Sequence, residues 1–350
     1  MSQKLPADSS TDSCEDISPN QRAADQNLQR AISVLHTLAG SVKKQVLGRD
    51  DVVDLTVIAL VAGGHVLLED FPGSGKTTLA KALGDSIKSE ESKEDAFAAF
   101  RRIQFTPDLL PSDVTGVPVF DSNSNAFHFR RGPLFAHIVL ADEINRTSPK
   151  VQSAMLEAMG EKQITVDNTT YQLDELFFVI ATQNPLDMVG TYPLPTPQLD
   201  RFLFKITMEH IDRDSEMSVL ETYVDRRDHK ITSEFVTRQQ VLYARQAIED
   251  NVYIHSAIKA CLVDISRNLR GDDRVLQGNS TRSLVLMLPA LQVAAAMQGR
   301  NFVSAEDIEL LLPKVLGHRV ELAPGVTDRE KVFSECMQAP MEQLARGTLL

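Results

Sequence analysis

Residues 65–78 read HVLLEDFPGSGKTT, an apolar run followed by a glycine-rich turn and a short polar segment. We interpret this stretch as a strand, a phosphate-binding loop and the start of a helix. Gly73 and Gly75 permit a turn tight enough for successive backbone N–H groups to converge on anionic oxygens. The dipole of the following helix favours the same anion. Because Lys76 can reach the β and γ phosphates and the Thr77 hydroxyl can ligate Mg²⁺, the stretch predicts a nucleoside triphosphate site.

The loop departs from the strict pattern G-x-x-x-x-G-K-[ST], which has glycine where this chain has Asp70. Its context still favours phosphate binding, because an apolar strand precedes it and the helical LAKAL at 79–83 follows it. The alternative is an ordinary turn built from glycine and proline. Seven consecutive residues are the candidate phosphate contacts: Pro72, Gly73, Ser74, Gly75, Lys76, Thr77 and Thr78.

Composition narrows the class of protein. The 350 residues are 43% hydrophobic, which suffices for one large α/β domain and a smaller one. Lys and Arg number 36 against 48 Asp and Glu, a formal charge of −12. Such a chain is not built to neutralise a phosphate backbone, so we expect no stable binding of nucleic acid.

The remaining composition indicates a soluble cytoplasmic protein without membrane insertion. Its three cysteines, Cys14, Cys261 and Cys336, are far apart and follow no metal-binding spacing, as is typical of isolated thiols in a reducing compartment. The longest apolar stretch, at 57–68, is interrupted by two glycines and a histidine. The N-terminus has no basic segment followed by an apolar core.

Patterns along the chain predict five regions. Residues 1–25, poor in large apolar side chains, are expected to be a disordered leader. In 26–210, helical patterns near 27–40 and 51–62 precede alternating strands and helices, which predicts a parallel sheet with helices on both faces. Two hairpins, at 117–130 and 163–173, interrupt it. A linker at 211–235 leads to a purely helical domain at 236–330 and a tail at 331–350.

Two carboxylates follow a second buried strand. The run HIVLADE at 137–143 ends in Asp142 and Glu143, 66 positions after Lys76 (142 − 76). In a parallel sheet the carboxyl ends of the strands face the ligand crevice. There Asp142 can hold Mg²⁺ and Glu143 can polarise a water for in-line attack on the γ phosphate. The alternative is an acidic cap that opens the next helix.

Three further polar residues are weaker candidates. Asn184 ends the apolar run FFVIATQN at 177–184 and can orient the attacking water, although strand ends often carry an amide. Arg201, in QLDRF, can act on the nucleotide of a neighbouring subunit or form a surface salt bridge. Arg282 lies in the first turn of a helix that Ser280 or Thr281 caps. The helix dipole does not favour a cation there, which mildly favours a function.

The chain resembles the MoxR family of AAA+ ATPases over residues 30–320. The resemblance depends on six ordered blocks: EDFPGSGKTTLA, QFTPDLLPSDVTG, FRRGPLFAHIVLADEINR, LEAMGEKQITVD, FVIATQNPL and GTYPLPTPQLDRF. It implies an α/β fold, with a P-loop NTPase core whose parallel sheet is flanked by helices, and a C-terminal all-helical lid. The hairpins then correspond to the helix-2 insert and the pre-sensor-1 hairpin, which usually face the pore of a ring.

The resemblance also implies roles for single residues. Lys76 and Thr77 match Walker A, and Asp142 and Glu143 match Walker B. Asn184 matches sensor 1. Arg201 matches the arginine finger. Arg282 matches sensor 2, which acts in the same subunit. Leu47 and Gly48 match the residues that line the adenine pocket.

The implied function is that of an ATP-hydrolysing chaperone or remodelling ATPase, with ATP and Mg²⁺ as ligands and a hexamer as the expected assembly. The resemblance further implies a partner with a von Willebrand factor A domain and a protein client in maturation or cofactor insertion. A nucleic-acid motor and a slow nucleotide-gated scaffold are the competing classes. The sequence contains no N-K-x-D motif, which guanine recognition by a GTPase would require, so a GTPase is not expected.

Two glycines depart from the family pattern. Gly160 stands where the family usually has an acidic residue, and Gly317 where it often has arginine. Gly160 is expected to loosen a helix end by up to about 1 kcal/mol relative to alanine. We expect neither glycine to touch the nucleotide.

Overall fold

A parallel five-stranded sheet forms the centre of the computed structural model, which describes residues 19–69, 73–89, 97–184, 190–224 and 234–347. Its strands run in the order β10-β1-β9-β6-β3. The strands within these residues are β1 (Val66–Glu69), β2 (Ile87–Lys88), β3 (Ala98–Gln104), β4 (Gly116–Asp121), β5 (Ala126–Arg131), β6 (Ala136–Asp142), β7 (Gln163–Val166), β8 (Thr169–Gln172), β9 (Phe178–Gln183), β10 (Phe204–Thr207), β11 (Val236–Thr237), β12 (Val275–Gln277) and β13 (Glu321–Leu322).

Helices cover both faces of this sheet. The helices of the described residues, those of the lid included, are α1 (Pro19–Gln45), α2 (Asp50–Val61), α3 (Lys76–Asp85), α4 (Pro111–Thr115), α5 (Pro149–Glu161), α6 (Thr196–Leu199), α7 (Arg213–Glu221), α8 (Arg238–Asn251), α9 (Ser256–Gly271), α10 (Thr281–Met297), α11 (Ala305–Leu316) and α12 (Arg329–Gly347). On β1 the side chains alternate between two cores: Val66 and Leu68 pack with α1 to α3, and Leu67 packs with α5. The predicted α/β core with a parallel sheet and a helical lid is confirmed.

Both predicted hairpins are present. Strands β4 and β5 pair antiparallel, as do β7 and β8, whose turn at Asp167 and Asn168 has positive φ at both residues. The first hairpin is more exposed, and the rings of Phe120 and Phe127 meet near its tip with centroids 5.2 Å apart. These hairpins are additions to the sheet, as the turn sequences indicate.

Several elements differ from the sequence prediction. Helix α1 begins at Pro19 rather than near Asn27, so part of the expected leader is helical, while 1–18 lie outside the described residues. Helix α7 lies in the expected linker and α12 occupies most of the expected tail. Strand β10 was not predicted, and β12 and β13 form a small antiparallel sheet within the helical region. All three strands have four residues or fewer, too short for a clear periodicity.

Helix α8 is hydrogen-bonded to the end of α2 and packs against the core through α1 and α2. The Arg245 guanidinium donates to the carbonyl oxygens of Leu60 and Val61 at 3.0 Å, and so satisfies the end of α2. Arg238 donates to both carboxylate oxygens of Asp174 at 2.9 Å. Across the described residues, no helix has the length and apolar character needed to span a bilayer.

Two buried histidines make stability depend on pH. His65 is held in the neutral form, because one ring nitrogen accepts from the Val179 N–H and the other donates to the Met159 carbonyl. Burial lowers its pKa from 6.5 to about 4, and that of His318 to about 3. In the unfolded chain both histidines therefore become protonated near pH 6.5, whereas in the folded chain they stay neutral until the pH is much lower. Stability is full above that pH and falls as the pH drops toward 4.

We expect His65→Gln to flatten this dependence. Between pH 7 and pH 5 the free energy of unfolding should fall by about 2 kcal/mol less in this variant than in the wild type. Urea titrations at both pH values measure the difference. His128→Gln is the control, because that side chain is 63% exposed. An equal pH dependence in wild type and His65→Gln would contradict the prediction.

Candidate nucleotide site

The glycine-rich loop forms an open cradle before α3. Gly73 and Gly75 have φ of 91° and 95°, and a Cβ built on either residue would meet no atom of the described residues within 4 Å. The glycines are therefore needed for backbone conformation, and the space in front of them is open. Among the described residues no side chain caps α3 at Gly75, and the dipole of the helix favours an anion at this end. Pro72 lies outside the described residues.

A cleft of about 530 Å³ adjoins this loop, a volume suited to a nucleotide-sized ligand. Its walls come from the loop, from the turn between α1 and α2, from the segment after β10 and from α7. Leu47 lines the cleft, as do Ser74 and Thr78. Gly48, the residue after Leu47, has φ of 68°, and a Cβ there would be 2.6 Å from the Ser215 side chain. Gly48 thus allows the turn to pack against α7.

Asp142, at the end of β6, is a nearly buried carboxylate surrounded by donors. Lys76 Nζ lies 3.3 Å from its Oδ1, and the Thr182 hydroxyl donates to the same oxygen at 2.8 Å. Arg102 donates to Oδ2 through Nη2 at 2.7 Å and Nε at 3.2 Å. Burial alone would raise the pKa of Asp142, but these hydrogen bonds and the charge of Lys76 outweigh it and lower the pKa. Asp142 is therefore ionised and next to the loop.

Glu143 occupies a strained backbone position. Its φ and ψ are 58° and 50°, in the left-handed region that glutamate rarely adopts. The Thr182 hydroxyl accepts from its N–H at 2.9 Å, and its carboxylate accepts from Gln104 Nε2 at 2.8 Å. Arg146 Nε lies 3.4 Å from the same carboxylate oxygen. Gln104 and Arg146 thus hold the Glu143 carboxylate next to the carboxyl ends of β6 and β3.

The strand order brings Asn184 to the same edge. Strand β9, which Asn184 follows, lies between β1 and β6, so its carboxyl end is flanked by the loop and by the two carboxylates. Thr77 is the second residue of α3 and is half-buried, whereas Thr78 is exposed. The structure therefore places Lys76 against Asp142 and Asn184 at the carboxyl edge of the sheet, while the roles assigned to Lys76, Thr77 and Asn184 stay predictions.

Three residues of this site were missed from sequence: Arg102, Gln104 and Thr182. Arg102 and Gln104 are two apart on β3, so both point to one face and meet the two consecutive carboxylates. Thr182 holds both Asp142 and the Glu143 backbone. The alternation R-x-Q at 102–104 indicates contacts with the two carboxylates only once β3 is known to pair with β6.

Arg201 lies at the opposite end of the sheet. The backbone N–H of nearby Leu203 donates to the His65 carbonyl, just before β1, whereas the loop follows β1. The length of β1, about 10 Å, therefore separates Arg201 from the loop of its own subunit. The guanidinium lies against Gly160 in α5, where a Cβ would collide with Nη1. Gly160 thus makes room for Arg201.

Arg282 lies near Arg201 and not near the loop. Its Nε is 4.0 Å from Oδ2 of Asp200, and its side chain is 60% exposed. The expectation that Arg282 acts on the nucleotide of its own subunit stays a prediction that this position does not support, because Asp200 belongs to the segment that adjoins the amino end of β1, whereas the loop follows the carboxyl end. Arg282 belongs to the same surface as Arg201.

A buried arginine of the lid holds the segment that carries Arg201. Arg319 donates to Oδ1 of Asp200 at 2.6 Å and to the carbonyl oxygens of Phe202 and Leu203 at 2.7 and 3.2 Å. Its side chain is 2% exposed. His318 Nε2 lies 2.9 Å from the same Phe202 carbonyl. The lid and the arginine-bearing turn are therefore packed as one unit.

Comparisons with known proteins agree with this architecture. Residues 65–204 match the ATPase family associated with various cellular activities (AAA), and residues 269–335 match the AAA lid domain. The Chaperone MoxR1 of Mycobacterium tuberculosis (strain ATCC 25618 / H37Rv) is 32% identical over 87% of this chain and 81% of its own length. The chain belongs to the MoxR family of AAA+ ATPases.

Other relatives extend the likeness of this MoxR-family chain. YeaC of Bacillus subtilis (strain 168) is 42% identical over 323 residues, which are 90% of this chain and 98% of YeaC. A crystal structure of a protein from Cytophaga hutchinsonii superposes with a TM-score of 0.81 at 31% identity, covering 94% and 98% of the two chains. Membership of this ATPase family implies nucleotide binding in general.

Proposed function

We propose that this MoxR-family protein hydrolyses ATP to ADP and phosphate in a ring of identical subunits, and uses the energy to remodel a client protein. The observation that carries the proposal is the separation of the polar groups between two ends of one sheet. Lys76 and the two carboxylates lie at the carboxyl end, and Arg201 lies at the amino end. A subunit cannot bring both sets to one nucleotide, whereas two adjacent subunits of a ring can.

The residues at the carboxyl end fit a nucleotide with its metal. The open cradle at Gly73 and Gly75 accepts phosphates, and Thr77 and Asp142 would hold Mg²⁺. When bound, Mg²⁺ neutralises phosphate charge and polarises the bond that breaks. Lys76 offers a positive charge to the β and γ phosphates, while Glu143 and Asn184 orient and polarise the attacking water.

The residues at the amino end would serve the neighbouring subunit. Arg201 would stabilise negative charge on the transferring phosphoryl group, as an arginine finger supplied in trans. Arg282 shares its surface and would reach the same neighbouring nucleotide. We propose that the assembly is a hexamer. We propose further that it acts in the cytoplasm.

The exposed hairpin supports a protein client. Four large apolar side chains of β4 and β5 are at least 37% exposed, an arrangement that favours contact with another chain over solvent: Val117, Val119, Phe120 and Phe127. We place this hairpin toward the pore of the ring. A partner with a von Willebrand factor A domain, acting in maturation or cofactor insertion of a protein complex, completes the proposal.

A subunit-mixing experiment tests the shared site. Glu143→Gln and Arg201→Ala are each expected to be inactive alone, and ATPase activity is measured after their co-expression in one assembly. Recovery is expected, because some interfaces then pair an intact Glu143 with an intact Arg201. Mixed rings without any recovery, with their composition confirmed by native mass spectrometry, would contradict a site shared between pairs of subunits.

Gly160→Ala should lower ATP turnover without unfolding the protein. The added Cβ would displace the end of the Arg201 side chain, and a displacement of about 1 Å can cost on the order of 100-fold in rate. We expect a loss of about 10- to 100-fold, with a melting temperature equal to or above that of the wild type, because alanine favours helix. Steady-state ATPase assays and thermal melts measure the two quantities.

Gly40→Ala is the control for this substitution. Gly40 is also helical, and a Cβ there would meet none of the described atoms within 4 Å. It should keep wild-type turnover. Undiminished turnover in Gly160→Ala would show that the working position of Arg201 does not depend on Gly160.

A further inference from the structure

Arg102 is bonded to the Asp142 carboxylate, which the proposed function assigns to the metal as a ligand. Its Nη2 and Nε both donate to Oδ2 of Asp142, while Lys76 and Thr182 contact Oδ1. Both oxygens of Asp142 are therefore in contact with cationic or hydroxyl donors of the chain itself.

The charges around Asp142 oppose a metal ion that arrives alone. The Asp142 carboxylate, 3% exposed, is flanked by the guanidinium of Arg102 and the ammonium of Lys76, while the neighbouring Glu143 carboxylate is held by Gln104 and Arg146. A dication at this carboxylate would lie close to two like charges, in a site with little solvent to screen them. A nucleotide reverses the balance, because its phosphates offer both cations another anion.

Of the two cations, Arg102 is the one placed to move. Its side chain is 48% exposed, against 16% for Lys76. It projects from β3, the outermost strand of the sheet, so it can swing into solvent without opening the core. Lys76 is the first residue of α3, beside the glycine-rich loop, so under the proposed function it can contact the phosphates without leaving the loop.

We propose that Arg102 is a built-in counter-ion that keeps Mg²⁺ off Asp142 until a nucleotide binds, and then exchanges the carboxylate for a phosphate oxygen. This inference rests on the proposed function, in which Asp142 is a metal ligand. Under this proposal Arg102, on β3, sets the order in which the ligands bind: the metal enters with the nucleotide and not before it.

Binding of Mn²⁺, followed by electron paramagnetic resonance, tests the proposal without any measurement of turnover. In nucleotide-free protein, Arg102→Gln should bind Mn²⁺ at least tenfold more tightly than the wild type, because one of the two opposing charges is gone. Arg102→Lys retains the charge and should resemble the wild type. Arg101→Gln is the matched control: it makes the same charge change on the neighbouring residue of β3, which is exposed.

Equal Mn²⁺ affinity in wild type and Arg102→Gln would overturn the proposal, as would an equal gain in Arg101→Gln. Arg102→Met serves if Arg102→Gln does not fold. With a non-hydrolysable ATP analogue bound, the difference should shrink to less than about threefold, and a difference that persists would overturn the exchange to phosphate. Failure of the wild type to bind the analogue would instead contradict the proposed function and leave the nucleotide-free comparison valid.

Discussion

Arg201→Ala should lower ATP turnover by about 10³- to 10⁵-fold while leaving ATP binding unchanged. The guanidinium lies about one strand length from the loop of its own subunit, so it contributes nothing to nucleotide affinity there. Its proposed contribution is to the transition state on a neighbouring subunit, and it corresponds to on the order of 4–7 kcal/mol of the barrier. Single-turnover phosphate release and equilibrium binding of a fluorescent ATP analogue separate the two effects.

Arg346→Ala is the control for this loss. That side chain is 82% exposed on α12 and pairs with Glu342 one helical turn away. Its removal should leave turnover within about twofold of the wild type. Wild-type turnover in Arg201→Ala would remove Arg201 from the proposed reaction, whereas a matching loss of ATP affinity would place it in its own subunit's cleft.

Glu143→Gln should bind ATP and fail to hydrolyse it, with a loss of about 10²- to 10⁴-fold in turnover. The amide keeps the size of the side chain and can still bond Gln104, but it cannot polarise a water for attack. Because ATP then remains at the subunit interfaces, the assembled ring should accumulate. Phosphate release gives the rate, and size-exclusion chromatography with light scattering gives the mass.

Glu309→Gln makes the same change at an exposed position of α11 and should behave as the wild type. Loss of ATP binding in Glu143→Gln would mean that the carboxylate supports the nucleotide rather than the water. Turnover close to that of the wild type would exclude Glu143 as the group that activates water.

The parts of the site that lie within one continuous stretch could be predicted from sequence. Residues 65–78 and the run that ends at Asp142 and Glu143 each combine an apolar strand with the polar groups that follow it, so periodicity and motif agree. Asn184 required only the further step that neighbouring parallel strands end at one edge. The fold class followed from the same alternation of strands and helices.

The parts that depend on tertiary packing could not be predicted. Arg102 and Gln104 became interpretable only when β3 was placed beside β6, because nothing in R-x-Q itself specifies a partner. Arg282 was expected to serve its own nucleotide, and the structure places it beside Asp200 at the other end of the sheet. Gly160 was expected only to weaken a helix, although its lack of a side chain makes room for Arg201. Sequence separation hides all of these contacts.

The packing of α1 against α8 has a consequence for synthesis of the chain. The face of α1 that meets α8 and its neighbours is apolar and includes Leu28, Leu35 and Val42. Roughly 190 residues separate Gln45 from Arg238, where α8 begins. At about 5–20 residues per second, a ribosome needs on the order of ten to forty seconds to supply that partner. During this interval part of the first helix remains uncovered, so the core can be completed only late in translation.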